Sequence, residues 1–405
     1  MPSLPVEGEP APVDGSLPPA SADAFGQRPL SFYVHVPYCA SRCGYCDFNT
    51  YTAAELGASA SQSGYAAQAV AEVRLARQVL GDREVPVSTV FFGGGTPTLL
   101  PAQDLARMLG AIRDEFGLAA DAEVTTEANP DSVTPESLEL LRAAGFTRIS
   151  FGMQSVATHV LAVLERTHTP GRAIEAIRDA RAAGFAHVNV DLIYATPGET
   201  RDDFARSLDA AISSGADHVS AYSLIVEEGT RLAGKVRRGD IADVEDDVAA
   251  DRYVQADEAF TAAGMHWYEV SNWAQPNGEC RHNLAYWRSD DWWGIGPGAH
   301  SHIAGTRWWN VRHPSAYGDR INAGLSPAQA REILTKDQQR DEQILLGIRL
   351  REGLEAGTLS ATQLSVVDAA TGDGLVHGDW AASGRVTLTQ KGRLLADRLA
   401  IDLLS

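Results

Sequence analysis

The sequence predicts an α/β protein: an open, partial (βα)6 barrel of the TIM-like kind, followed by a smaller C-terminal α+β unit of winged-helix type. Three observations carry this. Short β-branched apolar runs recur six times, with amphipathic helical stretches between them. Glycines stand where those helices should stop, at Gly81, Gly117, Gly145, Gly184 and Gly215. Polar and glycine-rich residues gather at the ends of the strand-like runs, as chemistry does at the carboxyl rim of a parallel βα sheet.

The strand-like runs cover residues 32–36, 89–92, 123–127, 148–151, 188–193 and 219–224, and the helical ones 66–80, 102–116, 135–144, 170–183 and 200–214. Such alternation implies parallel strands joined by right-handed crossovers. Six units are too few to close an eight-stranded barrel, so the sheet should stay open. The partial barrel should occupy residues 29–232. An aromatic-rich extension should follow over 233–325, since seven of the eight tryptophans and five of the eleven histidines fall between residues 266 and 313. The C-terminal unit takes 326–405.

Residues 1–28 begin with a stretch rich in Pro, Ala, Ser and Gly that lacks the basic start and apolar core of a signal peptide, which predicts a disordered tail. Hydrophobic content of 44% and charged content of 21% are ordinary for a soluble globular protein. No run approaches the roughly 18 apolar residues of a membrane span. A cytoplasmic, reducing location follows, with thiols available for metal. The net charge of −19 argues against nucleic acid as a main partner, because phosphate binding needs a basic surface.

Cys39, Cys43 and Cys46 stand in C-x3-C-x2-C spacing directly after the first strand-like run. Three thiolates can hold three corners of a [4Fe–4S] cubane and leave one iron without a protein ligand. An open iron can take a cofactor, as the open position of a catalytic zinc does. The alternative is a structural zinc site with His35 as fourth ligand, although zinc sites usually pair their ligands across a longer loop. Gly93-Gly94-Gly95 after the second run would let backbone approach a ligand closely. Glu127 ends the third run and suits a ribose hydroxyl.

The cysteine element resembles the radical S-adenosylmethionine (SAM) signature, in which the open iron chelates the amino and carboxylate groups of SAM. Tyr33-Val-His-Val-Pro37, Gly93-Gly-Gly-Thr-Pro-Thr98, Glu127-Ala-Asn-Pro130, Phe151-Gly-Met-Gln-Ser155 and Asp191-Leu-Ile-Tyr-Ala-Thr-Pro-Gly198 together resemble oxygen-independent coproporphyrinogen III oxidases and their relatives. That resemblance implies SAM contacts at Tyr33, Tyr45, Gly94, Gly95, Thr96, Glu127, Gln154, Arg166, Asp191 and Ile225. Two departures matter. The oxidases resemble C-x3-C-x2-C-x-C, whereas Phe48 stands at the last of those positions here. They also carry an ordered N-terminal arm where this chain has its low-complexity stretch. Both features are similar to the HemW-type heme chaperones.

His282-Asn283-Leu-Ala-Tyr286-Trp287 is similar to the H-N-x-x-Y-W element of those chaperones. The resemblance implies heme held by His282 with Asn283, Tyr286 and Trp287 beside it. Histidine is a common axial ligand of heme iron, and the two rings offer flat apolar area. Cys280 reads as a second heme ligand or as a buried apolar residue, and the second reading is preferred. On this resemblance the cofactors are a [4Fe–4S] cluster, SAM and heme. The implied partners are heme or another tetrapyrrole, a heme-acceptor protein, an electron-donor protein, membrane heme proteins touched peripherally, and a second copy of the chain. The alternative function is oxygen-independent coproporphyrinogen III oxidase, with oxidative decarboxylation to protoporphyrinogen IX. Both stay open at this point.

Overall fold

In the computed structural model, which describes residues 8–56 and 62–405, the six apolar runs become the parallel core of one large sheet. Its strands are β1 (Glu9–Pro10), β2 (Leu30–Val36), β3 (Val87–Gly94), β4 (Leu118–Ala128), β5 (Arg148–Gln154), β6 (His187–Tyr194), β7 (His218–Ser223), β8 (His266–Glu269), β9 (Asn272–Ala274), β10 (Asp291–Ile295), β11 (His300–Ile303), β12 (Thr306–Asn310) and β13 (Ala328–Ile333). Across the sheet they run β1-β13-β12-β11-β10-β2-β3-β4-β5-β6-β7-β9-β8. β2 to β7 pair in parallel in chain order, as the alternation of strand and helix requires.

Side chains alternate across each strand, and this decides where ligands can go. Phe32, Val34, Val90, Phe92, Ile149 and Phe151 are buried in the main apolar core. The alternate set, among it Ser31, Tyr33, His35, Thr89, Glu127, Asn189 and Asp191, is polar and shares the other face. The outer helices include Gln62–Leu80, Ala102–Phe116, Pro135–Ala144, Arg172–Ala182 and Arg201–Ser213. Thr134 and Thr200 cap two of them through reciprocal capping boxes. Gly145 ends the helix Pro135–Ala144 at a φ of 111°, a left-handed conformation that costs any other residue more.

Three expectations about organisation are corrected. Residues 8–28 are not a tail: β1 pairs with β13, Pro19–Ala24 is helical, and Phe25 is buried in the main core. Ser21 Oγ lies 2.7 Å from Thr306 Oγ1. Composition concealed this because one phenylalanine and one buried serine are enough to anchor a Pro-rich segment to a sheet edge. Residues 1–7 lie outside the described residues. The aromatic-rich segment is no separate extension. β10 joins β2 in parallel, β11 and β12 follow it antiparallel, and β9 and β8 cap the opposite edge on β7. The C-terminal unit, expected from residue 326, gives its first strand β13 to the large sheet.

A second apolar core begins with the helix Lys336–Gly347 and includes Ile344, Ile348, Val367, Leu399 and Leu403. A two-stranded ribbon, β14 (Leu354–Glu355) with β15 (Arg385–Val386), stands among its helices. Asp257 locks this unit to the sheet. Its carboxylate accepts hydrogen bonds from Arg393 at 2.9 and 3.0 Å, from Gln390 at 2.7 Å and from the Trp273 indole at 2.8 Å. Among the described residues no helix is long and apolar enough to cross a membrane.

Candidate functional site

The carboxyl ends of β2 to β7 form a mouth, and the residues singled out for SAM and the cluster lie around it. Cys39, Cys43 and Cys46 are free and half-buried on the loop leaving β2. Backbone bonds fix that loop: Cys39 N–H to Tyr51 O at 3.0 Å, Gly44 N–H to Leu164 O at 3.0 Å, and Leu232 N–H to Gly44 O at 2.9 Å. Burial, then the neighbouring Cys46 charge, pushes the Cys39 thiol up to about 11. The free Cys39 thiol therefore holds its proton, and bound iron would displace it. The sulfurs do not crowd one point. Among the described residues no three His, Cys, Asp or Glu side chains are arranged around a single ion, and a cubane takes its thiolates on separate irons.

His35, the fourth ligand of the zinc alternative, has both ring nitrogens engaged: Nδ1 with Tyr33 Oη at 2.9 Å and Nε2 with Asn49 O at 2.9 Å. It ties β2 to the end of the cysteine loop. Burial depresses its pKa to about 4, so the ring is neutral.

The glycines answer to the protein itself as well as to any ligand. A Cβ on Gly95 would stand 2.4 Å from Tyr38 O, and one on Gly94, where φ is 104°, 2.5 Å from the His35 ring. Gly95 N–H donates to Val36 O at 2.8 Å and Thr96 N–H to Tyr38 O at 2.7 Å, closing this loop onto the one with the cysteines. Gly94 N–H donates to Glu127 Oε2 at 3.0 Å. Burial, reinforced by the charge of Asp191, raises Glu127 to about 8. Burial raises Asp191 to about 6 although Ser150 and Asn189 donate to it.

Gln154 sits at a φ of 64°, and its buried Oε1 has no partner. Left-handed backbone at a non-glycine residue costs energy and persists only where the surrounding structure holds it. Arg166 reaches across: Nη2 donates to Gly152 O at 2.8 Å, Nη1 lies 3.7 Å from Cys43 Sγ, and the buried Nε is unpaired. Buried donors and acceptors are normally paired, so two such orphans beside three thiols fit a missing polar ligand. Tyr45 packs against the small apolar cluster of Val160, Leu164, Ile193 and Leu224. Ile225 and Phe48 are exposed on the rim at 58% and 57%. The donor set suits a cluster with SAM.

His282 faces into the barrel. Its side chain is 1% exposed, Nδ1 lies 2.7 Å from Thr89 Oγ1, Nε2 lies 2.9 Å from Tyr286 Oη, and the ring stacks on Phe91. Both ring nitrogens have partners within the chain, and burial takes the imidazole down to about 4. Spacing of i and i+4 turns His282 and Tyr286 to one side of the helix Arg281–Trp287, and that side enters the barrel. Asn283 bonds Glu269 at 2.5 Å, Tyr286 meets Trp292 edge to face, and Trp287 is half-buried. Cys280 is buried beside Glu123, and burial pushes its thiol upward.

Sequence reading missed the pair beneath this helix. Arg148 Nε lies 3.1 Å from Glu123 Oε2, both side chains almost fully buried, and Arg148 also donates to Gly278 O and Glu279 O. Burial opposes the Glu123 charge, but Arg148 and the His282 N–H outweigh it and hold Glu123 below the usual carboxylate range. The available signal was opposite charges near the starts of two consecutive apolar strands.

Residues 33–211 match the radical SAM superfamily. A Mycobacterium tuberculosis protein named heme chaperone HemW is 52% identical over 380 residues, which cover 93% of this chain and 95% of that one. A Bacillus subtilis protein of the same name is 32% identical, covering 91% and 97%. Coproporphyrinogen III oxidase (HemN) from Escherichia coli, described as a radical SAM enzyme, superposes with a TM-score of 0.80 at 23% identity, covering 95% of this chain and 92% of that one. The last likeness is one of fold. The chain belongs to the HemW family of radical SAM proteins.

Proposed function

We propose that this protein binds heme and delivers it to acceptor proteins, with a [4Fe–4S] cluster and SAM held at the barrel mouth. The observation that carries this reading is the 52% identity, over nearly the whole of both chains, to a relative named heme chaperone. Cys39, Cys43 and Cys46 would hold the cluster, and when bound it supplies a single electron and one open iron for SAM. Around it, Arg166 offsets thiolate charge at Cys43, while Gly94, Gly95, Thr96, Glu127, Gln154 and Asp191 present the polar atoms that would orient SAM. Tyr33 and Tyr45 would wall the bound cofactors, with exposed Ile225 and Phe48 beside them. The exposed Phe48 occupies the position at which the related oxidases resemble a fourth cysteine. A heme acceptor, an electron-donor protein, membrane heme proteins touched peripherally and a second copy of the chain are the partners this reading entails.

The test is anaerobic. Reconstituted protein is loaded with ferric heme, mixed with an apo-heme protein, and the transfer is followed by absorption. Transfer, with no protoporphyrinogen formed from coproporphyrinogen III, SAM and reductant, supports the reading. Formation of protoporphyrinogen would make the protein the oxidase instead.

A further inference from the structure

The strand β10 runs parallel to β2, so the turn Gly296-Pro297-Gly298 that leaves it stands beside the cysteine loop at the same end of the sheet. This turn lies outside residues 33–211, the part that matches the radical SAM superfamily. It is built against that part at backbone distance. A Cβ on Gly296, where φ is 104°, would stand 2.5 Å from His35 O. On Gly298, where φ is 74°, it would stand 2.5 Å from Asn49 Nδ2 and 3.0 Å from Asn49 Cγ. The Asn49 side chain therefore lies flat on Gly298, and only glycine leaves it that room.

Asn49 follows Cys46 by three residues and is the point where the two segments join. Its Nδ2 donates to Pro297 O at 3.0 Å and to Arg312 O at 2.8 Å, partners 248 and 263 residues away along the chain. Its Oδ1 accepts from Tyr51 Oη at 3.1 Å, and its backbone carbonyl from His35 Nε2 at 2.9 Å. The turn is held from behind by Glu72, a buried carboxylate of the helix Gln62–Leu80. Glu72 Oε2 accepts from the Gly296 N–H at 2.7 Å and from Tyr317 Oη at 2.6 Å, and Oε1 accepts from Asn310 Nδ2 at 2.7 Å. Asn310 Nδ2 also donates to Gly296 O at 2.9 Å, so both backbone polar groups of Gly296 are fixed. Tyr65 Oη of the same helix donates to His35 O at 2.6 Å. One helix thus aligns the turn and the strand end beside it.

We propose that Asn49 is a positioning residue of the cluster site, pinning the last leg of the cysteine loop to the Gly296–Gly298 turn, with Glu72 as the support of that turn. The proposal rests on the cluster-binding reading above. Thiolates that meet three irons at once need a loop of fixed shape, and groups outside the ligand set supply it by hydrogen bonding. Backbone bonds to Tyr51, Leu164 and Leu232 hold the loop at Cys39 and Gly44, and Asn49 is the side-chain clamp on the Cys46 side. The C-terminal part of the chain then completes the cluster site instead of merely adjoining it.

The full chain is reconstituted anaerobically as wild type, Asn49→Ala, Gly298→Ala and the double variant. Iron loss to a chelator, the electron paramagnetic resonance of the reduced cluster and the melting temperature of cluster-free protein are measured. Asn49→Ala keeps all three cysteines, so it should take up iron, yet lose it about tenfold faster than wild type. Its cluster signal should broaden and shift while the cluster-free melting temperature stays near that of wild type. Gly298→Ala drives a Cβ into the same amide and should change the signal in the same way. Because both act on one contact, the double variant should lose iron more slowly than the product of the single effects predicts. A wild-type cluster signal and wild-type iron loss in Asn49→Ala, or fully independent effects in the double variant, would overturn the clamp and leave the cluster reading standing. Failure of wild type to take up a cluster would overturn both.

Discussion

Glu123 Oε1 accepts a hydrogen bond from the His282 backbone N–H at 3.0 Å, so the barrel floor grips the helix Arg281–Trp287 by its first turn. The same carboxylate meets Arg148 through its other oxygen, and Arg148 holds the two carbonyls that lead into the helix. A buried ion pair thus fixes which face of the H-N-x-x-Y-W element looks inward. The inner face, with His282 and Tyr286, therefore belongs to the barrel, and the outer face carries Arg281, Leu284 and Arg288.

Removing one partner from this pair should be severe. Glu123→Gln leaves Arg148 buried without its counter-charge, at a cost of about 3–5 kcal/mol in urea unfolding. The double variant Glu123→Leu with Arg148→Met should lose less than Glu123→Gln alone. An equal or larger loss in the double variant would mean that the pair is worth more than its own desolvation.

The carboxylates at the mouth make stability depend on pH. Glu127 titrates near 4.5 when unfolded and at about 8 when folded, because burial and Asp191 disfavour its charge. A raised folded pKa means the contribution is fully present below pH 4.5 and is lost as pH rises through 8. In cluster-free protein, Glu127→Gln should therefore gain about 2–4 kcal/mol over wild type at pH 9 relative to pH 4.5. Parallel stability–pH curves for the two proteins would refute this.

Two glycines should respond oppositely to alanine. Gly95→Ala drives a Cβ to 2.4 Å from Tyr38 O, a backbone atom that cannot step aside without moving the cysteine loop. Cluster loading and melting temperature should both fall. Gly110, inside the helix Ala102–Phe116, has open space at its Cβ. Gly110→Ala should be neutral or stabilise by up to about 1 kcal/mol, with cluster loading unchanged.

Cys43→Ala removes the thiol that Arg166 faces and should abolish the brown colour and iron content gained on anaerobic reconstitution. Cys280→Ala, at a buried site away from the mouth, should retain both. Retained iron at full stoichiometry in Cys43→Ala would show that the cluster has another anchor.

Local pattern determined much of this protein. The six parallel strands, the helices 102–116 and 135–144 and the glycine stops are all set by periodicity and by residues whose backbone preferences act within a turn or two. The mouth was legible for a related reason: the cysteine loop, the glycine loop, Glu127 and Gln154 lie at or just beyond the ends of four consecutive strands, so chain order alone places them on one rim. What escaped were relationships between distant residues. Nothing within reach of Phe25 along the chain announces a sheet edge, and nothing near His282 announces Thr89 and Glu123. A histidine followed four residues later by tyrosine is the same motif whether its face looks to solvent or into a barrel. Only packing against a buried Glu–Arg pair decides, because an imidazole shut away from water must spend its nitrogens on its neighbours. The sequence could name that helix; the tertiary structure chose which side of it faces the barrel.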